Sequence, residues 1–193
     1  IHTEPVGIVF HTTETQMVDF EEPKTAALKR IGRNLLEYVL AHRSYHFVVD
    51  RFGRVHRVVA ESDAANHAGW SVWADGERVY VKLNESFLAV AFETRSPAAG
   101  SESSLNSAQI HAGRVLVEML RSRYGIPASN CVTHAQVSVN PRNLRIGYHT
   151  DWSEGFPFRS LGLPDNYALP PASMLLYGFE ADGLRRASGV ERG

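Results

Sequence analysis

The sequence predicts an α/β fold in a single domain, with a mixed central β-sheet flanked by helices. Short β-branched runs, typical of buried strands, alternate with two long amphipathic segments. The chain has 193 residues, of which 44% are hydrophobic, so it has the size of one ordinary domain and can bury its own core. We therefore expect one domain over residues 1–193, with a core from 6 to 158 and a C-terminal extension from 159 to 193.

The first strand and the first helix follow from two different apolar patterns. The run VGIVF at 6–10 is continuous and largely β-branched, as in a strand buried on both faces, and it ends directly before His11. From Pro23, a favourable first helical residue, apolar residues recur every three or four positions until about Arg43. This period predicts a helix that buries one face in the core.

A β-hairpin and a loop are predicted next. The apolar runs at 45–50 and 54–60 flank a short connection that contains Gly53, which is typical of two antiparallel strands. The following stretch, 64–78, is polar, rich in Gly and Trp and without a steady period, so we predict a surface loop. Surface loops often carry binding groups.

The second half of the chain shows the order strand, helix, strand. The run FLAVAFE at 87–93 predicts another buried strand, and a helix is predicted over about 107–124, before Gly125. The phrase CVTH at 131–134 predicts a short strand, after which an irregular segment leads to Asp151.

Charge and cysteine content exclude several classes of function. Lys and Arg number 20 and Asp and Glu number 21, without blocks of one sign, so we expect no nucleic-acid partner. The single cysteine, Cys131, has no partner for an internal disulfide. No apolar run approaches the roughly 20 residues that span a bilayer, so we expect no membrane span. Because the chain begins at Ile1 and not at Met, we expect upstream sequence to have been removed.

Three of the predicted strands end in ionisable residues, namely His11, Glu93 and His134. Strand ends at one edge of an α/β sheet are where such folds place their sites. Two imidazoles and one carboxylate provide three ligands to zinc and leave a fourth position open for water. Asp151 is the natural third ligand, and His149, two residues earlier, is a rival for that position.

Each of these residues also has a purely structural interpretation. His11 and His134 fit hydrogen-bonded histidines of a core, and Asp151 fits a turn or helix-capping carboxylate. Cys131 and His134 form a C-x-x-H pair that could bind zinc, but on a strand the two side chains would point to opposite faces.

Six phrases of the sequence occur in the order in which one enzyme family carries its signature segments: IVFHTTET, SYHFVVDRFGRVHRV, NHAGWS, FLAVAFE, VTH and HTDWSEGFPF. The sequence resembles the N-acetylmuramoyl-L-alanine amidases, which are zinc amidases related to peptidoglycan recognition proteins and phage amidase lysozymes. The resemblance covers residues 6–158.

The resemblance implies a mixed sheet flanked by helices, with one zinc ion per chain bound at one edge of the sheet. It implies hydrolysis of the amide bond between N-acetylmuramic acid and L-alanine in peptidoglycan or muropeptides. The family's three metal ligands match His11, His134 and Asp151. The sequence departs from the pattern at Trp152, directly after the Asp, and in the distance of 17 positions between the second and third ligands.

Three further residues are candidates for catalysis. Glu93 is the candidate general base, and its alternative is a strand-end Glu in a salt bridge. Tyr45 matches a tyrosine that is thought to assist at the reaction centre of phage-type amidases, although a half-buried strand Tyr fits as well. His149 stands where the family often has an oxyanion-stabilising Lys, and we expect a protonated imidazole to stabilise the oxyanion there or to act as a general acid.

The HAG phrase and its neighbour are candidates for substrate binding. His67, Ala68 and Gly69 match residues that line the substrate cleft in relatives, and a solvated loop histidine is the alternative for His67. Trp70 and Trp73 would offer flat faces to a sugar, unless they pack down as a lid over the core.

Two rival functions follow from the same residues. One is a peptidoglycan recognition module that keeps the cleft without catalysis, and the other is a zinc amidase or peptidase that acts on a different amide. For the amidase we expect peptidoglycan or muropeptide as the binding partner, a monomeric protein and an extracytoplasmic location, with cytoplasmic muropeptide recycling as the alternative.

Overall fold

The central element of the protein is a mixed β-sheet, seen in a computed structural model that describes residues 4–98, 100–101 and 105–168. In chain order the strands of this part are β1 (Gly7–Thr12), β2 (Phe47–Val49), β3 (Val55–Arg57), β4 (Val72–Ala74), β5 (Val79–Val81), β6 (Phe87–Phe92) and β7 (Cys131–Thr133). The sheet has the order β3-β2-β6-β1-β7, and β4 pairs with β5 in a separate antiparallel hairpin. Strands β2, β6, β1 and β7 are parallel, whereas β3 runs antiparallel to β2.

The helices of the described part are α1 (Thr25–His42), α2 (Ser107–Tyr124) and the short α3 (His134–Val137). Helix α2 begins with a capping box in which the Asn106 side chain accepts from the Gln109 backbone N–H and the Gln109 side chain accepts from the Asn106 backbone N–H. It ends at Gly125, whose φ of 65° is a left-handed conformation that glycine adopts without strain. Helices on a mixed sheet confirm the predicted fold class.

Both faces of the sheet are covered because successive side chains of a strand point to opposite sides. On one face Phe10 and Phe92 pack with Leu116 and Leu120 of α2. On the other face Val48 and Ala91 pack with Val39 of α1. The continuous apolar run of β6 is therefore buried throughout, as expected for a central parallel strand.

One sequence prediction needs correction. The stretch 64–78 is not a loop throughout, because β4 lies within it and the Trp73 side chain is buried. In the predicted extension, Leu161 and Leu163 pack into the hydrophobic cluster that contains Leu116 and Leu120 of α2. The remainder of that extension, 169–193, lies outside the described residues. No helix in the part of the chain that the structure describes combines the length and the apolar character needed to cross a membrane.

His46 connects the loop after α1 to the start of the sheet. Its Nδ1 accepts a hydrogen bond from the Ala89 backbone N–H at 2.9 Å, and its Nε2 donates to the Asp63 carbonyl at 2.9 Å. Burial lowers the pKa of His46 below 6.5, and the bond to Asp63 opposes that shift only in part. The folded protein therefore holds His46 neutral, with one nitrogen as acceptor and the other as donor.

We predict that His46 makes the fold sensitive to mild acid. Because the pKa of His46 is lower in the folded than in the unfolded chain, its contribution to stability is complete above pH 6.5 and is lost as the pH falls towards the folded-state pKa. Urea unfolding at pH 7.5 and 5.5 should show a smaller acid-induced loss of unfolding free energy in His46→Asn than in the wild type. His111→Gln, on an exposed face of α2, is the control and should behave like the wild type. An unchanged pH dependence in His46→Asn would contradict the assignment.

Candidate functional site

Two histidines meet at the carboxyl-end edge of the parallel strands. His11 lies near the end of β1, and His134 follows β7 directly as the first residue of α3. The register pairs Phe10 with Thr133, so the next residue of each strand lies at the same edge. Their rings are 4.6 Å apart between centroids, and both side chains are almost fully buried.

Asp151 completes this cluster. Its carboxylate lies 3.1 Å from His11 Nδ1 and 2.9 Å from His134 Nδ1. Among the described residues, His11, His134 and Asp151 form a group whose ligand-type atoms all lie within 4.8 Å of one another. Two imidazole nitrogens and one carboxylate are a donor set that zinc prefers, and three such ligands leave a tetrahedral position open.

Between His134 and Asp151, which are 17 positions apart, the chain forms a loop whose two arms pair at its base, here called the closed excursion. After α3 the chain leaves at Ser138 and returns at Gly147, whose backbone N–H donates to the Ser138 carbonyl at 2.9 Å. A bridge between Val139 and Ile146 pairs the two arms. The excursion therefore brings Asp151 back beside His134 whatever the number of residues at its tip.

Trp152, the other departure from the family pattern, anchors the segment that carries Asp151. Its side chain is fully buried and contacts Phe156 edge to face at 5.1 Å. Its backbone carbonyl accepts a hydrogen bond of 2.7 Å from the Tyr167 hydroxyl. The φ of Trp152 is 57°, a left-handed value that is strained for a bulky residue, so surrounding packing must hold it there.

The protonation of the cluster suits a cation. Burial and the neighbouring His134 lower the pKa of His11 to about 4, against the opposing effect of Asp151, so that His11 is neutral at neutral pH. Burial alone would raise the pKa of Asp151, but the neighbouring His134 and His11 outweigh it and hold that pKa well below its usual value. The site thus offers an ionised carboxylate and a free imidazole lone pair, and the residues fit a zinc ion.

His149 lies beside this cluster and outside it. Its ring stacks on that of His134, with centroids 4.3 Å apart and an angle of 17° between planes. An imidazole binds a metal in the plane of its ring, so two nearly parallel stacked rings do not direct nitrogens to one point. Partial burial and His134 lower the pKa of His149, with Asp151 opposing, which disfavours the protonated imidazole expected from the sequence.

Tyr45 borders the cluster on the side of His11. Its ring centroid is 5.2 Å from that of His11, and the side chain is partly buried. Burial, and then the negative charge of Asp151, raises the pKa of the Tyr45 hydroxyl. The phenol therefore stays protonated at neutral pH and is available as a hydrogen-bond donor.

Glu93, the candidate general base, is held in a buried ion pair. Its side chain is 1% exposed, and both carboxylate oxygens accept hydrogen bonds from Arg51, at 3.1 Å from Nε and 3.0 Å from the backbone N–H. Arg51 also donates to the carbonyls of Gln16 and Val18. The salt-bridge alternative therefore describes Glu93 better, although the pair is buried and not at the surface.

The HAG phrase is divided between the interior and the surface. His67 and Ala68 are buried, whereas Gly69 and Trp70 are exposed. Trp70 is 64% exposed and lines an apolar groove together with Val79, Val81 and Leu144. Trp73 packs down as the sequence alternative foresaw, and its indole N–H donates to the Asn130 side chain at 3.0 Å.

Cys131 lies away from the cluster, in the core that α2 covers. Burial raises the pKa of its thiol to about 12, so the thiol of the metal-free protein is protonated at neutral pH. The structure does not bring the C-x-x-H pair together as a metal site, because Cys131 packs in the core while His134 joins His11 and Asp151.

Most of the chain, including the three candidate metal ligands, matches the model of one enzyme family. The family model for N-acetylmuramoyl-L-alanine amidase matches residues 2–151. The chain belongs to this family. The family resemblance drawn from the six phrases is thereby confirmed. Among curated proteins no match was found.

Solved structures of amidases share the fold. The amidase AmiD of E. coli, in complex with anhydro-N-acetylmuramic acid-L-Ala-D-γ-Glu-L-Lys, is 23% identical with a TM-score of 0.60 over 96% of this chain. AmpDh3 of Pseudomonas aeruginosa, in complex with anhydromuramic pentapeptide, is 20% identical with a TM-score of 0.62 over 100% of this chain. AmpD is 19% identical with a TM-score of 0.54 over 83% of this chain. The matches span 62% of the AmiD chain, 71% of AmpDh3 and 84% of AmpD.

Sequence reasoning missed two residues that support the site. Arg51 lies in the turn of the first hairpin, where an Arg usually faces solvent, and nothing local predicts its buried partner. The Asn84 side chain accepts from the backbone N–H groups of His67 and Ala68, at 3.0 and 2.7 Å. The contacts of Arg51 with Glu93 and of Asn84 with His67 join segments that are distant in sequence. No pattern of residues along the chain predicts such contacts.

We predict that Glu93→Gln destabilises the fold strongly. Removal of one charge from a buried pair leaves Arg51 uncompensated, which typically costs about 3 to 5 kcal/mol of unfolding free energy. The matched control is Glu21→Gln, which removes an exposed ion pair with Lys24 and should cost less than about 1 kcal/mol. Urea unfolding of the three proteins measures both values. A loss in Glu93→Gln no larger than in the control would contradict the structural role.

Proposed function

We propose that this protein hydrolyses the amide bond between the lactyl group of N-acetylmuramic acid and L-alanine, with one zinc ion held by His11, His134 and Asp151. The convergence of these three side chains at one sheet edge carries the proposal. Membership in the amidase family supports it. The products would be a muramyl sugar and a peptide with a free L-alanyl amino group.

The residues around the cluster have complementary tasks in this reaction. A zinc ion held by His11, His134 and Asp151 would lower the pKa of water towards neutral and polarise the scissile carbonyl. His149, whose lowered pKa keeps it neutral at neutral pH, takes up the proton that the attacking water loses and delivers it to the departing amide nitrogen. The protonated hydroxyl of Tyr45 donates a hydrogen bond to the carbonyl oxygen as negative charge develops on it.

Two relatives and one exposed aromatic residue support a proposal for the substrate class. Two of the solved relatives are complexes with anhydromuramic peptides. We propose soluble anhydro-muropeptides as substrates, with polymeric peptidoglycan as the second class. The apolar groove beside Trp70 offers a flat aromatic face to the sugar. Cleavage of intact cell-wall sacculi would favour an extracytoplasmic location, and cleavage of soluble muropeptides alone would favour recycling.

One observation favours a second candidate function. Glu93, expected as the general base, is fully engaged by Arg51. A peptidoglycan recognition module, which binds the same ligand and does not cleave it, would need no such base. Zinc binding together with muropeptide binding, but without release of peptide, would identify the recognition module.

We predict one zinc ion per chain and loss of tight binding in His134→Ala, since two remaining ligands seldom hold zinc. Elemental analysis of the purified protein measures the stoichiometry, and mass spectrometry of an anhydro-muropeptide digest detects the free L-alanyl peptide. His111→Gln, on α2, is the matched histidine control and should retain zinc and turnover. Equal zinc content in His134→Ala and the wild type would remove His134 from the site.

We predict that His149→Ala keeps zinc and loses about 10²-fold in turnover, the lower range for loss of a proton-transfer group. Zinc is retained because the His149 ring stacks on His134 and does not direct a nitrogen at the three ligand atoms. Zinc content and turnover are measured on the same preparation. Loss of zinc in His149→Ala, together with retention in Asp151→Ala, would show that the third ligand and the proton carrier have been exchanged.

A further inference from the structure

His67 forms a second layer behind His11. His11 Nε2 lies 3.1 Å from His67 Nδ1, and His67 Nε2 lies 3.1 Å from the Phe87 carbonyl oxygen. The two rings meet edge to face, with centroids 5.2 Å apart. Only 8% of His67 is exposed, so its position is that of an interior residue and not of a cleft wall.

The direction of these hydrogen bonds follows from the acceptor at their end. A backbone carbonyl can only accept, so the proton of a neutral His67 must be on Nε2. His67 Nδ1 then carries a lone pair, and His11 Nε2 must be the donor to it. His11 is left with its lone pair on Nδ1, the nitrogen that faces Asp151. This is the tautomer of His11 that a metal ion in the cluster requires.

His67 is held in place from a second side. The Asn84 side chain accepts from the backbone N–H groups of His67 and Ala68, at 3.0 and 2.7 Å. Asn84 lies in the short 3-10 turn Leu83–Glu85 just before β6, and Phe87, the first residue of β6, is paired in register with Gly7 of β1, the strand that carries His11. The ring of His67 is therefore fixed by Phe87 and its backbone by Asn84, and neither contact involves a substrate.

We propose that His67 is a positioning residue for the metal ligand His11, in place of the substrate contact expected from the HAG phrase. It selects the His11 tautomer with the proton on Nε2 and orients the ring so that Nδ1 points into the cluster. Partners of this kind are typically carboxylates, carbonyls or waters, and here an imidazole passes the hydrogen bond on to a carbonyl. The inference rests on the zinc site of the proposed function, but not on which amide is cleaved.

Two nearly isosteric variants separate the hydrogen bonds of His67. Asn places its side-chain oxygen where Nδ1 lies, so His67→Asn keeps the acceptor for His11. Gln places its amide N–H near the position of Nε2, so His67→Gln keeps the bond to Phe87 and removes that acceptor. Zinc affinity, measured by competition with a chromophoric chelator, should fall about 10- to 100-fold in His67→Gln, the range for such outer partners. His67→Asn should retain most of the wild-type affinity.

Three outcomes would overturn the inference. Equal zinc affinity in the wild type and both variants would show that His67 does not act on His11. Equal losses in both variants would indicate a packing role. A raised KM with unchanged zinc affinity would make His67 a substrate contact. Thermal unfolding of the zinc-free proteins verifies that both variants fold.

If His67→Gln fails to fold, a second pair of variants, at Asn84, tests whether His67 positions His11. Asn84→Ala removes the backbone anchor and should weaken zinc binding, whereas Asn84→Asp retains the acceptor oxygen and should restore it. Unchanged affinity in Asn84→Ala would contradict the anchoring of His67. A wild-type chain that binds zinc and cleaves no muropeptide would contradict the proposed function alone, because the affinity measurements do not depend on turnover.

Discussion

The parallel pairing of β1 with β6 and β7 is the constraint on which the arrangement of the site depends. It brings the ends of β1 and β7 to the same edge, and one register step beyond the Phe10–Thr133 pair it sets His11 beside His134. Parallel strands require long crossover connections, and α1 and α2 belong to those connections while they cover opposite faces of the sheet. The same topology that buries the core therefore assembles the metal ligands.

Two kinds of buried polar contact hold the ends of the central strands, namely a neutral hydrogen-bond chain behind His11 and an ion pair at Glu93. His11 is held through His67 and a backbone carbonyl, which adds no charge behind the ligand. The ionised pair of Arg51 and Glu93 is instead placed at the end of β6, where it ties the hairpin turn to the segment that follows β1. A buried ion pair is stable only when its remaining donors are satisfied, and the carbonyls of Gln16 and Val18 satisfy those of Arg51.

The sequence predicts those elements whose conformation is determined by neighbouring residues along the chain. Period and capping residues place α2 at the predicted residues, and the continuous apolar run FLAVAF places β6. His11 and His134 are predictable because they lie at the ends of such strands, whereas Asp151 follows an irregular segment and is matched through the family resemblance. The environment of Glu93 and His67 has no local cause, since it depends on Arg51 and Asn84 from other segments. The conformation of Trp152 is equally non-local, because its left-handed φ is maintained by its burial against Phe156 and by the hydroxyl of Tyr167.

The closed excursion between Ser138 and Gly147 has an evolutionary consequence. Its arms are joined at the base, so insertions and deletions at the tip do not propagate to Asp151. The entropy of closing a loop grows slowly, by about 0.6 kcal/mol for each doubling of length, so such changes are tolerated by the fold. Leu144, at this tip, lines the apolar groove with Trp70. Lineages can therefore remodel the wall of that groove by changing loop length, and ligand preference can diverge while the metal ligands stay where the sheet puts them.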